Sequence, residues 1–220
     1  MPIGVCAYSF NTGYDACQLM DMAVEQGLSG VEFPPDGCLP DLKLETIQNA
    51  RAYAEERNLF IVTDGGQVEL EMLQRLIPVA SALGSRTLRV VMSGVLGGDR
   101  RPLAGQWQSH LSNCRDILRD VLSLADDHGV SIAIENHSDA TSDDMLWMCE
   151  ELDSNHIGIT LDVGNVLAVC EEPMGYTERL APHLRNIHLK DYTLHPTDEG
   201  YRMARCALGK GVVDFPTLLS

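Results

Sequence analysis

Three residues of this chain invite one chemistry. Glu135 stands in the segment AIENH, Asp162 in ITLDVGN and His188 in NIHLKD. Each falls at the same place in a short run rich in branched apolar residues. If those runs are neighbouring parallel strands, they lie about 4.8 Å apart. Two carboxylates and an imidazole then meet within a few ångströms. Carboxylates that close repel unless a proton or a cation lies between them. A divalent ion relieves the repulsion, and oxygen and nitrogen ligands suit Mn, Co, Mg, Zn or Fe. Three protein ligands leave coordination positions for substrate oxygens, the mark of a catalytic rather than a structural site. Singly, each residue has a plainer reading. An acid at a strand end is usually an ion-pair or capping partner, with Lys190 at hand, and a histidine is usually a satisfied polar group. In register on consecutive strands, the three favour the metal.

The elements that must position them are legible as an alternation. Strand candidates fall at 3–10, 30–33, 60–64, 87–93, 131–137, 157–163 and 186–191. Helix-period runs lie between most of them. One carries Ala16, Leu19, Met20, Ala23 and Val24 and is stopped by Gly27. Another carries Trp107, Leu111, Cys114, Ile117, Val121 and Leu124 and ends near Gly129. A third spans about 143–152, with Thr141 and Ser142 as capping candidates. Strict alternation implies parallel strands with right-handed crossovers.

An open doubly wound sheet and a closed barrel both fit that alternation. No GxGxxG follows the first strand, which weakens the dinucleotide-binding form of the open sheet. The strand faces favour the barrel. Ile132 and Ile134 oppose Ser131, Ala133 and Glu135. Ile157, Ile159 and Leu161 oppose Gly158, Thr160 and Asp162. Ile187 and Leu189 oppose Asn186, His188 and Lys190. One face is always branched and apolar, the other small or polar with an ionisable group near the C-terminal end. Barrels have that geometry, with active sites at the C-terminal rim. The expected fold is therefore α/β, a (β/α)8 TIM barrel in a single domain over 1–220. Seven strands are counted and the eighth is missing, so the domain reads as C-terminally incomplete. Asp214, Phe215 and Pro216 look like the start of a further helix.

Composition narrows the partners. Acidic residues outnumber Lys and Arg by 32 to 16, a net charge of −16, which repels nucleic-acid backbones. No run of 18 apolar residues suggests a membrane span. The first residues lack the basic and apolar regions of a signal peptide. Seven cysteines with no CxxC pair read as free thiols in a reducing cytoplasm.

AIENH, ITLDVGN and NIHLKD, followed by LGKGVVDFPTLL, resemble the sugar phosphate isomerase/epimerase superfamily with the xylose isomerase-like barrel. That superfamily includes ketose 3-epimerases, inosose dehydratases and, more distantly, endonuclease IV. The resemblance implies a metal held by Glu135, Asp162 and His188. The family's fourth ligand, a Glu on the eighth strand that also serves as a catalytic base in the epimerases, has no counterpart here. Asn165 stands where many relatives carry His.

The implied function is metal-dependent isomerisation, epimerisation or dehydration of a small polyhydroxy carbonyl compound through an enediolate, with Glu135 as ligand and proton shuttle. The implied partner is a small carbohydrate, with neither nucleic acid nor membrane involved. Two rivals remain: a truncated, catalytically weak metal-binding barrel, and an endonuclease IV-like hydrolase of abasic sites, which the charge opposes.

Softer substrate-binding candidates surround the triad. His137, two residues past Glu135, reads as a rim residue or a substrate contact. Lys190 pairs with a substrate oxyanion or with a nearby acid. Glu32 faces inward at the end of the second strand. Arg205 belongs, with Arg202 and Lys210, to the cationic segment that follows the last strand. The loop 93–106 is long enough to form a lid. Unpaired edges of the first and seventh strands leave a homo-oligomer open.

Overall fold

A computed structural model of the chain describes residues 2–10, 13–95 and 99–219. Seven strands form one sheet in chain order: β1 (Gly4–Cys6), β2 (Gly30–Phe33), β3 (Phe60–Gln67), β4 (Thr87–Val91), β5 (Ser131–Glu135), β6 (Ile157–Asp162) and β7 (Leu184–His188). Pairings β1–β2, β2–β3 and β6–β7 are parallel. Helices fall between successive strands. This is the α/β order of a TIM barrel with its eighth strand lacking among the described residues. The chain divides into two compact units: Met1–Val90 with Asp116–Ile132, and Val91–Arg115 with Ala133–Ser220.

In the first unit, α1 (Ala16–Glu25) opens with a capping box. Asp15 accepts from the Gln18 backbone N–H at 2.8 Å, and the Gln18 side chain accepts from Asp15 N–H at 3.1 Å. Ala16, Leu19, Met20 and Ala23 are buried as expected, but Val24 is 47% exposed. Eight residues beyond Ala16 is about 80° around the helix, past the edge of the packed face. Gly27 ends the turn at φ +67°.

Strand β1 is shorter than expected: after Cys6 the chain enters a 3-10 turn at Ala7–Ser9. The β1–β2 ladder ends at Cys6–Glu32, one residue before β2 itself ends at Phe33, ahead of Pro34 and Pro35. Helix α2 (Pro35–Cys38) follows at once. Helices α3 (Leu44–Glu56) and α4 (Leu70–Ala82) complete the alternation up to β4.

Between β4 and β5, Trp107 begins α5 (Trp107–Asp120) as expected. The apolar run then breaks at Val121 into α6 (Leu122–His128), which closes at Gly129 in the left-handed region. Thr141 caps α7 (Ser142–Leu152) through a second capping box, with Asp144 as its partner. Every residue of β6 is buried. Helix α8 (Pro173–Leu180) leads into β7.

Strand β7 begins two residues earlier and ends three earlier than expected. Against β6 it carries a register shift: Ile159 pairs with Leu184, but Thr160 pairs with Asn186 and Asp162 with His188. Asp191 leaves the sheet and opens an antiparallel hairpin, β8 (Asp191–Thr197) and β9 (Gly200–Cys206). The chain ends in α9 (Phe215–Leu218), capped by Asp214.

Of the loop expected as a lid, Gly97 and Gly98 lie outside the described residues. Its later part forms a 3-10 turn at Arg101–Leu103. Arg100 pairs with Asp144 at 3.6 Å and lies over the Trp107 ring. Among the described residues no helix is long and apolar enough to cross a membrane.

Candidate metal centre

Glu135, Asp162 and His188 are the last residues of β5, β6 and β7, so the sheet delivers all three at one end. One donor atom from each lies within 4.8 Å of the others. Glu135 Oε2 is 3.6 Å from His188 Nδ1. Both carboxylates are buried, Glu135 at 1% and Asp162 at 0% exposure.

The surrounding polar groups hold this arrangement. Asn136 clamps the Asp162 backbone: its Oδ1 accepts from Asp162 N–H at 2.8 Å and its Nδ2 donates to Asp162 O at 3.0 Å. Asp162 Oδ1 accepts from the backbone N–H groups of Gly164 and Asn165, both at 3.1 Å. Asp162 Oδ2 has no hydrogen bond of ordinary geometry; Lys190 Nζ forms a close ion pair with it. Lys190 also donates to Asn165 Oδ1 at 3.1 Å, and Asn165 Nδ2 donates to Glu135 Oε1 at 3.3 Å. Asn186 Nδ2 lies 3.4 Å from His188 Nε2.

Burial pushes the Asp162 carboxyl above the usual carboxylate range. Lys190 pulls it back, and the negative charge of Glu135 adds to the push. The donor set, two oxygens and an imidazole nitrogen with no thiolate, fits a hard or borderline divalent cation.

Four of the softer candidates gather here. His137, Asn165, Lys190 and Arg205 line one cavity of about 470 Å³ together with Tyr192 and Tyr201 of the hairpin. His137 Nδ1 is buried with no hydrogen-bond partner. Glu32 belongs to the first unit. There it is 6% exposed and accepts from Cys6 Sγ at 3.8 Å. Beside them Arg89 Nη1 donates to both oxygens of Asp64, at 3.0 and 3.2 Å. Burial raises the Asp64 carboxyl despite Arg89.

Sequence reasoning missed Asn136 and the hairpin wall. Asn136 follows Glu135 directly, and strand alternation turns it away from the face on which ligands were sought. The hairpin had a signal in the turn 197–200, Thr-Asp-Glu-Gly, between two segments that contain Tyr.

Residues 20–220 match the protein family described as Xylose isomerase-like TIM barrel. A curated relative, the 3-oxo-isoapionate decarboxylase of Pectobacterium atrosepticum, is 23% identical over 222 residues, covering 99% of this chain and 72% of the relative. Among solved structures, a 3-keto-D-glucoside 4-epimerase from E. coli superposes with a TM-score of 0.74 at 18% identity. That match covers 100% of this chain and 86% of the other. A xylose isomerase-like TIM barrel protein from Mycobacterium smegmatis in complex with magnesium gives a TM-score of 0.75 at 17% identity, covering 99% and 84%.

Proposed function

The chain belongs to the xylose isomerase-like TIM barrel family, and from that premise we propose that it is a divalent-metal-dependent isomerase, epimerase or dehydratase of a small sugar or polyol carbonyl compound. The observation that carries the reading is the convergence of Glu135, Asp162 and His188 donor atoms within 4.8 Å. These three residues would hold the ion. When bound, a divalent ion supplies Lewis-acid polarisation of a substrate carbonyl and its neighbouring hydroxyl.

The protein's own groups do the rest. Glu135 removes the proton on the carbon next to the carbonyl, its carboxylate kept in place by Asn165 Nδ2. Isomerisation returns that proton to the neighbouring carbon, whereas epimerisation takes one from the opposite face, for which Lys190 and His137 are the groups at hand. Asn136 fixes the Asp162 backbone so that the carboxylate cannot swing away. Lys190 and Asn165 present hydrogen-bond donors to substrate oxygens from the cavity wall, and His137 and Arg205 contact the remainder of the molecule.

The relative named a decarboxylase supports a second outcome of the same chemistry. Loss of carbon dioxide from a 3-oxo acid leaves the same kind of electron-rich carbon next to a carbonyl, which then takes a proton.

The test is metal content first. The purified chain binds about one divalent ion per site, and His188→Ala loses it; elemental analysis showing unchanged metal in that variant would sink the assignment. Proton removal is read separately, by exchange of the substrate α-hydrogen with deuterated solvent. Glu135→Gln slows it by at least about a hundredfold, the usual loss for a general base. Exchange at the wild-type rate rules out the role of Glu135.

A further inference from the structure

The cavity beside the metal centre has a charge opposite to that of the chain. The whole sequence has twice as many acidic as basic residues and a net charge of −16. Yet the cavity lining contains no Asp or Glu, while Lys190, Arg205 and His137 all contribute to it. Lys190 is engaged by Asp162 and Asn165. Arg205 has no carboxylate partner among the described residues. Its charge is therefore available to whatever enters.

Arg205 is also placed, not merely present. In the hairpin Tyr192 pairs with Arg205 and Pro196 with Tyr201. Strand alternation puts Tyr201, Met203 and Arg205 on one face, and that face lines the cavity. The hairpin is fixed at its root by the buried Asp191, whose carboxylate accepts from the backbone N–H groups of Tyr192, Gly209, Gly211 and Val213 at 2.8–3.2 Å. Near its tip, Tyr201 Oη donates to Leu167 O at 2.5 Å.

A guanidinium stays charged at any physiological pH and offers a planar fork that matches the paired oxygens of a carboxylate or phosphate. The acidic remainder of the chain does not cancel this at contact. Its field is screened over about 8 Å at physiological ionic strength, so a cation touching the ligand outweighs carboxylates farther off.

Resting on the metal-dependent sugar reading, we infer that the substrate carries an anionic end group, a carboxylate or a phosphate, and that Arg205 receives it. The site then selects acidic sugars over neutral ones.

A matched set of ketoses tests this by calorimetric binding in the presence of magnesium: D-fructose, D-fructuronate and D-fructose 6-phosphate, which differ only at C6. At least one charged ketose binds about tenfold or more tightly than fructose at low salt, a difference of about 1.4 kcal/mol. The advantage shrinks as sodium chloride is raised. Arg205→Met removes the advantage of the charged ketose over fructose, and Arg205→Lys restores part of it. A preference confined to fructuronate identifies the group as a carboxylate, and one confined to the phosphate identifies a phosphate. Equal binding of all three, or a charged-ligand advantage that survives in Arg205→Met, overturns the inference and leaves the sugar reading intact. No binding by any of the three defeats the sugar reading and takes this inference with it.

Discussion

Two clusters of strand-end carboxylates occupy this chain, one in each unit, and they are built differently. In the first, Asp64 receives two contacts from one Arg89 nitrogen and a third from Gly66 N–H at 2.9 Å, and Glu32 accepts from Cys6 Sγ. In the second, Glu135 and Asp162 turn toward each other and toward His188, with a single lysine against them. Both clusters are buried and both hold two acids. The difference lies in the cation. A guanidinium close against Asp64 leaves that carboxylate little to offer an ion, whereas a lysine is a point charge that can yield its place. Acid count and burial do not make a metal site; convergence of donor atoms does. Among the described residues only the second cluster has it.

The sharpest test of that contrast is a pair of matched substitutions. Asp162→Asn abolishes metal binding, whereas Asp64→Asn leaves metal content unchanged and destabilises the fold. The second loss is about 3 kcal/mol, because Arg89, 7% exposed, loses the buried carboxylate that accepts from its Nη1. Elemental analysis and urea unfolding of both variants read the two effects. Metal lost from Asp64→Asn would show the clusters to be one functional unit.

A smaller effect separates buried acids by how they are compensated. Burial would raise the Asp191 carboxyl, but its four backbone donors outweigh it and hold the group below the usual range. Its folded pKa is thus lower than its unfolded value of about 3.9. The stability it contributes is fully present above that value and is lost as pH falls through the folded pKa. Asp64 has the opposite sign. Its raised pKa is a penalty on the folded state, relieved as pH falls through that raised value toward about 3.9. Asp191→Asn therefore loses about 1–3 kcal/mol at neutral pH and unfolds with less acid sensitivity below about pH 4. Thermal unfolding of the variant and parent across pH 2.5–6 checks this; parallel profiles would deny Asp191 its anchoring role.

Smallest is the cap on the helix that follows β5. Thr141 Oγ1 accepts from Asp144 N–H at 3.2 Å. Thr141→Ala costs about 1 kcal/mol, with metal content unaltered, because the cap orders α7 and touches no donor atom. Chemical denaturation measures the first and elemental analysis the second.

Much of this was legible because strands announce themselves by alternation. The runs ending at Glu135 and Asp162 place branched residues on one face and the acids on the other, and the sheet keeps that arrangement. The capping signals at Thr141 and Asp214 were equally direct, since a side-chain oxygen beside a helix start has few other uses. What was not legible depended on pairing between distant segments. Strand β1 stops at Cys6, where the chain turns into a 3-10 segment that the apolar run through Phe10 did not announce. Segment 192–206 offers no strand candidate because Pro196 and its scattered polar residues spoil the pattern, yet a two-stranded ribbon has only edges and tolerates them. The Lys190 ambiguity between acid partner and ligand contact persists in physical terms as well: the residue pairs with Asp162 while lining the cavity.

The register shift between β6 and β7 also sets which side chain of β7 stands beside Asp162. Arg185 is the surplus residue: Leu184 pairs with Ile159 and Asn186 already with Thr160. Counted without that surplus, Asp162 would meet Ile187, and the imidazole would fall out of phase with the carboxylate. The extra residue thus changes the parity of the strand and turns an apolar position into a ligand position. Gly158 makes room for it. A Cβ there would stand 2.4 Å from Arg185 Cγ and 2.7 Å from His183 O, so a side chain at 158 would collide with the segment that carries the inserted residue. The make-up of the triad is in this sense decided three to four residues back along each strand, by a glycine and one extra residue outside it.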